Sequence, residues 1–83
     1  MGMMALDREN LRRHLYEKQG LAHEDFEDDT LLFSSGLLDS FSMVELIIFI
    51  EDAAGWRVHP AEVTLDNFDS IDRMLAFVAA RRT

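Results

Sequence analysis

The sequence predicts an all-α fold, a small bundle of three main helices with a short helical turn and a long first loop. Three segments repeat apolar residues at helical spacing between capping residues, and no segment alternates as a β-strand does. The chain has 83 residues, of which 48% are apolar, so it can supply one modest core. We therefore expect a single domain over residues 1–83, in which residues 1–5 form a flexible N-terminus.

The first helix is expected over residues 7–19. Asp7 is a suitable N-cap, and Gly20 is a stop signal. The apolar face of this helix carries Met4, Leu11 and Leu15. Three basic side chains lie mostly off that face, and we interpret them as solvated surface: Arg8, Arg12 and Arg13.

A long connection follows over residues 21–38, and its first part is acidic. Five of the six positions at residues 24–29 are Asp or Glu. An EF-hand calcium loop needs spaced ligands and a central glycine, which this run lacks, so we expect a solvated loop and no metal site. Four apolar side chains should pin the connection to the core: Phe26, Leu31, Leu32 and Phe33.

One stretch organises the chain, namely the turn and the helix on either side of Ser40. Gly36 favours a turn because it adopts positive φ without steric cost, and Gly55 is a suitable residue to end a helix. The second helix is therefore predicted over residues 40–54. Ser40 or Asp39 can simply cap this helix. Alternatively, the Ser40 hydroxyl is a modification site, since a helix N-terminus favours a phosphate.

The second helix is apolar on two arcs. One arc should face the core and consists of Met43, Leu46, Ile47 and Ile50. The other consists of Phe41, Val44 and Ile48. The helix is either buried on both arcs or exposes the second one as a docking face for a partner. A small bundle can hardly bury every side of one helix, so the docking face is favoured.

The segment after Gly55 is predicted to contain a short helical turn at residues 59–63, with Pro60 in its first turn. Connecting loop or a second short turn should follow at residues 64–68. Trp56 is expected to pack where the loop meets the core.

The last helix should start at Asp69 or Ser70, with Asp69 and Asp72 forming a variant of the capping box. Its apolar stripe consists of Ile71, Met74, Leu75 and Val78, with Phe77 beside it.

The net charge of −8 argues against a nucleic-acid partner, because phosphates demand a basic face. It favours partners with basic docking surfaces. Acidity that only aids solubility is the alternative, and composition does not separate the two.

Several features bear on the cellular compartment. Cysteine is absent, which excludes disulfides and cysteine-based metal sites. The N-terminus lacks the pattern of a signal peptide, and Leu6 stands where a myristoylation motif needs Ser or Thr. The longest apolar run, residues 46–50, is too short to span a membrane. We therefore expect a cytoplasmic protein without membrane insertion.

An autonomous enzyme is not expected. A hydrolase would need a base beside Ser40, and the candidate bases His14, His23 and His59 lie in three different segments. The Gly-x-Ser-x-Gly elbow is absent, and these histidines do not have the spacing of a zinc site.

The motif Leu38-Asp39-Ser40-Phe41, followed by Val44-Glu45-Leu46, resembles the Asp-Ser-Leu signature of acyl and peptidyl carrier proteins. The resemblance extends over residues 11–81 and includes the acidic loop and the later Phe68-Asp69-Ser70-Ile71. Phe41 stands where fatty-acid carriers usually have Leu. Phe at this position is seen in D-alanyl carriers and in some freestanding carriers of specialised metabolism.

The resemblance implies that Ser40 carries 4′-phosphopantetheine, transferred from coenzyme A by a phosphopantetheinyl transferase with magnesium. The thiol of that group holds the cargo as a thioester for partner enzymes, namely a loading ligase or acyltransferase and a downstream synthase or transferase. Only Ser40 is carried over from the motif. Position on the predicted helix assigns the docking residues Asp39, Phe41, Val44, Glu45, Ile48, Glu51 and Asp52. We expect a monomer.

The cargo implied by the resemblance is an amino acid or an unusual acyl unit. Ser42 stands where fatty-acid carriers usually have Asp, and Phe49 adds apolar bulk. The pathway would be polyketide or nonribosomal peptide assembly, or D-alanine transfer to cell-wall polymers. A fatty-acid carrier is one alternative. An alternative of another class is a small helical adaptor with no prosthetic group.

Overall fold

The computed structural model describes residues 6–82, without the side chains of His23 and Arg82. The main helices are α1 (Arg8–Glu17), α2 (Ser40–Ala54) and α4 (Ile71–Arg82), and a four-residue helix, α3 (Leu65–Phe68), precedes α4. Short 3-10 turns lie at His23–Asp25 and Pro60–Glu62. The described residues contain no β-strand, which confirms the all-α prediction. Met4 and the predicted flexible N-terminus lie outside the described residues.

Helix α1 begins as predicted and ends earlier than predicted. The Asp7 side chain caps it by accepting a hydrogen bond of 2.8 Å from the Asn10 N–H. The helix ends at Glu17 instead of residue 19, because the Leu21 N–H bonds back to the Leu15 carbonyl (3.0 Å) and Gly20 turns the chain at φ 77°. Only glycine enters that conformation without steric cost.

The core draws on all three main helices, on α3 and on the long connection. Helix α4 packs against both α1 and α3. The buried apolar side chains are Leu6, Leu11, Leu15, Phe26, Leu32, Leu38, Leu46, Ile50, Ala53, Phe68, Ile71, Met74, Phe77 and Val78. The predicted inner arc of α2 is confirmed, with Leu46 and Ile50 fully buried and Met43 and Ile47 partly buried. Within residues 6–82 there is no helix with the length and apolar character needed to cross a bilayer.

The long connection is fixed to the helices at several points. Phe26 and Leu32 are buried as predicted, and Phe33 is partly buried. Leu31 is 42% exposed, so the prediction that it pins the loop is wrong. The main chain of the loop faces the start of α4, since the Asp72 N–H bonds to the Asp28 carbonyl at 3.0 Å.

Two arginines of α1 form ion pairs that the sequence did not predict. Arg8 forms ion pairs of 2.7 Å with both Asp28 and Asp72, and Arg12 pairs with Asp28 at 3.0 Å. Burial alone would raise the pKa of Asp28, but the two guanidinium groups outweigh it and hold that pKa below its ordinary value. Arg8 is exposed, as predicted, although it is ion-paired, whereas Arg12 is partly buried because the acidic loop folds back over α1, so the prediction is wrong for Arg12.

The end of α2 and the segment after it follow the prediction. Gly55 ends α2 at φ 84°, and its N–H bonds to the Glu51 carbonyl at 2.9 Å. Trp56 contacts the Phe77 ring edge-on at 5.9 Å, and the Arg81 guanidinium lies 4.2 Å from the Trp56 ring centre. The tryptophan is therefore a packing residue between loop and core.

Helix α4 begins at Ile71, and its cap differs from the predicted capping box. The Ser70 hydroxyl accepts a hydrogen bond of 3.1 Å from the Arg73 N–H. The Asp69 side chain points to the long connection, and Asp72 pairs with Arg8. The predicted pairing of Asp69 with Asp72 is therefore wrong, because both carboxylates find partners from distant segments.

Candidate modification site and docking face

Ser40 is the first residue of α2, and its side chain is not the cap of the helix. Asp39 is the cap: its Oδ1 accepts hydrogen bonds from the Ser42 N–H (3.0 Å) and the Ser42 hydroxyl (3.2 Å). Ser40 is exposed, and its hydroxyl takes part in none of the hydrogen bonds found among residues 6–82. The residue that caps α2 is therefore Asp39 and not Ser40, and the Ser40 Oγ remains accessible.

Asp39 also sets the charge beside Ser40. The Ser42 N–H lowers the pKa of Asp39, and together with the Ser42 hydroxyl and the Phe41 N–H it outweighs the opposing effect of burial. The carboxylate is therefore ionised at neutral pH, and it is the acidic group nearest to Ser40 along the chain. A basic side chain that approaches Ser40 is attracted by this negative charge.

The turn ahead of Ser40 holds a fixed shape. Gly36 has φ 89°, and its N–H bonds to the Phe33 carbonyl at 3.1 Å. Leu38 is buried, and its N–H bonds to the Leu32 carbonyl at 2.8 Å. The side chain of Leu38 anchors the turn on the core, and Ser40 follows two residues later.

Gly36→Ala should lower the free energy of unfolding by about 1–2 kcal/mol, the cost of placing a Cβ in the left-handed region. Outside Gly36 and its two chain neighbours, no atom lies within 4 Å of the position a Cβ would take, so the loss comes from backbone strain and not from a clash. Gly36→Asn is the matched control and should lose less, because Asn tolerates this conformation. Urea unfolding of the three proteins measures the difference. Equal stability of wild type and Gly36→Ala would contradict the assigned turn.

A buried carboxylate clamps the connection just before that turn. Asp69 is 1% exposed, and its Oδ1 accepts from the N–H groups of Phe33 (2.7 Å) and Ser34 (3.1 Å). Its Oδ2 accepts from the Ser34 hydroxyl at 2.5 Å, and its carbonyl accepts from the Leu32 N–H at 2.7 Å. Burial alone would raise the pKa of Asp69, but these donors, with the nearby Arg73, lower it.

The Asp69 clamp is the part of the site that sequence reasoning missed. Its partners lie 35 and 36 residues away along the chain. An Asp-Ser pair ahead of an apolar stripe also has the pattern of an ordinary helix start. The spacing of residues in the sequence does not show whether Asp69 caps α4 or binds the long connection.

The outer arc of α2 is exposed. Phe41 is 81% exposed, Val44 54% and Ile48 52%, so the arc is not covered by the rest of the bundle. These positions are three and four residues apart and therefore lie on one side of the helix. Glu45 and Asp52 are exposed on the same helix. The structure brings together an apolar strip and acidic side chains beside Ser40.

Glu51 differs from the other residues assigned to the docking face. Its Oε2 accepts a hydrogen bond of 2.9 Å from the Val58 N–H, and the residue is half-buried. One carboxylate oxygen is therefore engaged in holding the segment that follows α2.

The histidines serve other parts of the fold. The His14 ring stacks on Phe49, with centroids 4.5 Å apart, and His59 precedes the Pro60–Glu62 turn. Neither forms a hydrogen bond with Ser40 among the described residues. No three His, Asp or Glu side chains in the described part of the chain are grouped as metal ligands would be.

Comparison with curated proteins finds two relatives. A D-alanyl carrier protein from Abiotrophia defectiva is 38% identical over 53 residues, which are 64% of this chain and 67% of that protein. The lincomycin biosynthesis protein LmbN from Streptomyces lincolnensis is 48% identical over 52 residues, which are 61% of this chain but only 18% of that protein. No protein-family model and no solved structure matches the chain.

The D-alanyl carrier relative matches this chain over two thirds of its own length at well above 30% identity. The fold is all-helical, as the resemblance implies. Membership indicates a carrier of cargo and not an enzyme. The chain belongs to the carrier protein family that includes the D-alanyl carrier protein.

Proposed function

We propose that this chain carries an acyl or aminoacyl cargo as a thioester on 4′-phosphopantetheine attached to Ser40. The observation that carries the proposal is the exposed Ser40 hydroxyl at the first residue of α2, left without a capping role because Asp39 fills it. Membership of the carrier protein family supports the same assignment. We further propose that residues 1–83 act as one carrier domain, monomeric and cytoplasmic.

The residues at the site suit such a group. Ser40 supplies the oxygen nucleophile, and its exposure gives a transferase access to it. In the modification step, a bond forms between the Ser40 Oγ and the β-phosphorus of coenzyme A. The pyrophosphate P–O bond breaks, adenosine 3′,5′-bisphosphate leaves with the electron pair, and the hydroxyl proton passes to a base of the transferase. When bound, the group supplies a thiol on a flexible arm that holds the cargo as a thioester.

The docking face supplies contacts to partner enzymes. Phe41, Val44 and Ile48 offer an exposed apolar strip, and contiguous exposed apolar patches are typical of interaction sites. Asp39, Glu45 and Asp52 flank it with negative charge, with Glu51 in a lesser role because it also holds Val58. The expected partners have basic rims: the phosphopantetheinyl transferase, a loading ligase or acyltransferase, and a downstream synthase or transferase.

For the cargo we propose an amino acid. One relative is named as a D-alanyl carrier protein and the other as a protein of lincomycin biosynthesis, and neither name refers to fatty acids. Phe41 and Ser42 already differ from the usual residues of fatty-acid carriers. The names of both relatives are consistent with a role in D-alanine transfer or in specialised peptide or polyketide assembly.

The test is the intact mass of the chain after incubation with coenzyme A, magnesium and a broad-specificity phosphopantetheinyl transferase. We expect the wild type to gain one phosphopantetheinyl group and Ser40→Ala to gain none. Ser42→Ala is the matched control, since it removes a hydroxyl from the same helical turn, and it should gain the group as the wild type does.

Two outcomes would contradict the proposal. One is no mass gain in a folded wild-type chain under conditions in which the transferase modifies a control carrier. The other is a gain that persists in Ser40→Ala. The first result favours the alternative of a helical adaptor with no prosthetic group, and the second places the group on a residue other than Ser40.

A further inference from the structure

The end of α1 meets the first turn of α2 through a chain of three groups. The His14 ring is half-buried and lies against the Phe49 ring, with an interplanar angle of 19°. The Gln19 Nε2 lies 3.2 Å from the His14 Nε2 and 3.3 Å from the Ser42 carbonyl oxygen. One side-chain amide therefore bridges a histidine of α1 and the backbone of α2 two residues beyond Ser40.

The geometry of this bridge favours a neutral His14. The Ser42 carbonyl only accepts hydrogen bonds, so Gln19 must present its NH₂ group there. If the amide were flipped, the Gln19 Oε1 would face the Ser42 carbonyl oxygen, and neither oxygen could donate a hydrogen bond. The same NH₂ has a second hydrogen, and its contact of 3.2 Å with the His14 Nε2 is a hydrogen bond when that nitrogen is the acceptor. We therefore assign His14 the neutral form with its proton on Nδ1.

The surroundings of the ring favour that neutral form. Burial lowers the pKa of His14 below its ordinary value of 6.5, Lys18 lowers it further, and Glu45 opposes both. The charged side chains that line the grooves beside the ring are Arg13 and Glu17 from α1, Lys18 just beyond its end, and Glu45 and Asp52 from α2.

We propose that His14 and Gln19 are positioning residues. Through the Ser42 carbonyl they form a proton-sensitive latch, which holds the first turn of α2, with Ser40, against α1. When His14 takes up a proton, its Nε2–H faces the NH₂ of Gln19, and two donors cannot share one hydrogen bond. The amide must then release either His14 or the Ser42 carbonyl. Release would leave the Ser40 turn less ordered at acidic pH. The latch itself does not require the proposed function, and only the significance of that loss of order rests on it.

The test is an NMR titration of the unmodified full chain between about pH 7.5 and 5, the range in which histidines titrate. It follows the His14 ring, the Gln19 side-chain NH₂ and the backbone amides of residues 40–43. We expect one common midpoint below 6.5 in all three sets of signals. Asp39 stays ionised over this range because its pKa is lowered, so it does not mask the response.

Two variants isolate the latch. His14→Phe keeps an aromatic ring against Phe49 but cannot titrate, so the response of Gln19 and of residues 40–43 should disappear. Gln19→Glu leaves the ring stack untouched and provides a carboxylate that accepts from protonated His14, so the His14 midpoint should rise. This second variant tests the latch even if His14→Phe folds poorly. His59→Gln is the matched control and should leave the response in place.

The latch is overturned if His14 titrates while Gln19 and residues 40–43 remain unchanged, or if its midpoint in the wild type is 6.5 or higher. These results do not depend on modification of Ser40, because the titrated chain is unmodified. Failure of the latch is therefore distinguishable from failure of the proposed function.

Discussion

Replacing Asp69 by asparagine should lower the free energy of unfolding by about 2–4 kcal/mol, a large part of the stability of a small domain. The carboxylate accepts from two backbone N–H groups and one hydroxyl in a site that is 1% exposed. Asparagine has one acceptor oxygen, and its NH₂ would face a donor. At least one buried donor is then left without a partner, and that loss of a hydrogen bond is costly.

Urea unfolding measures the effect, with two matched variants. Ser34→Ala removes only one donor to Asp69, so the loss should be smaller. Asp29→Asn makes the same chemical change on an exposed residue of the connection and should change the free energy of unfolding by less than about 0.5 kcal/mol. An Asp69→Asn protein as stable as Asp29→Asn would show that the clamp does not hold the loop.

The same clamp has a defined pH dependence. The pKa of Asp69 is lower in the folded chain than its ordinary value of 3.8, so ionised Asp69 stabilises the fold. That stabilisation is complete above the unfolded-state pKa and is lost as the pH falls through the folded-state pKa. The difference in stability between wild type and Asp69→Asn should therefore be constant near neutral pH and shrink below about pH 4.

Phe41→Ala should reduce kcat/KM of the phosphopantetheinyl transferase by about 30-fold, which corresponds to the ~2 kcal/mol typical of an interface hot spot. The side chain is 81% exposed, so its removal should change the free energy of unfolding by less than about 0.5 kcal/mol. The reason is that the ring packs little within the bundle and is free to contact a partner beside Ser40.

Leu65→Ala is the matched control for this prediction. Leu65 is also exposed, at 48%, but it belongs to α3 and not to the docking face. Transferase kinetics on the three proteins, together with their urea unfolding curves, separate docking from stability. Similar losses of kcat/KM in both variants, or none in Phe41→Ala, would refute a docking role for the outer arc of α2.

The parts of the fold that were predicted from sequence depend on neighbours in the chain. The bounds of α2 follow from an Asp that bonds three residues ahead and a Gly that turns the chain at φ 84°. The Pro60–Glu62 turn follows from Pro60 in the same local way. The exposed arc of α2 was predictable because the inner arc already fills the available core.

The contacts that sequence reasoning missed join distant segments. Asp69 reaches the connection across 35 residues, Arg8 reaches Asp72 across 64, and Gln19 reaches Ser42 across 23. In each case the side chain also has an ordinary local use, as a helix cap or as solvated surface. Periodicity and capping patterns report local preferences, so they cannot select the long-range partner.

The contacts of the Asp69 clamp cannot form until the chain has been synthesised as far as Asp69. A ribosome adds Ser40 and all of α2 well before it adds the residue that holds the preceding loop in place. Local helices form quickly, whereas contacts between distant residues must first close a loop of the chain. The clamped form of residues 32–34 therefore exists only after Asp69 has been synthesised, whereas the Asp39 cap of α2 needs no residue beyond Ser42. The two sets of contacts around Ser40 are thus acquired at different stages of synthesis.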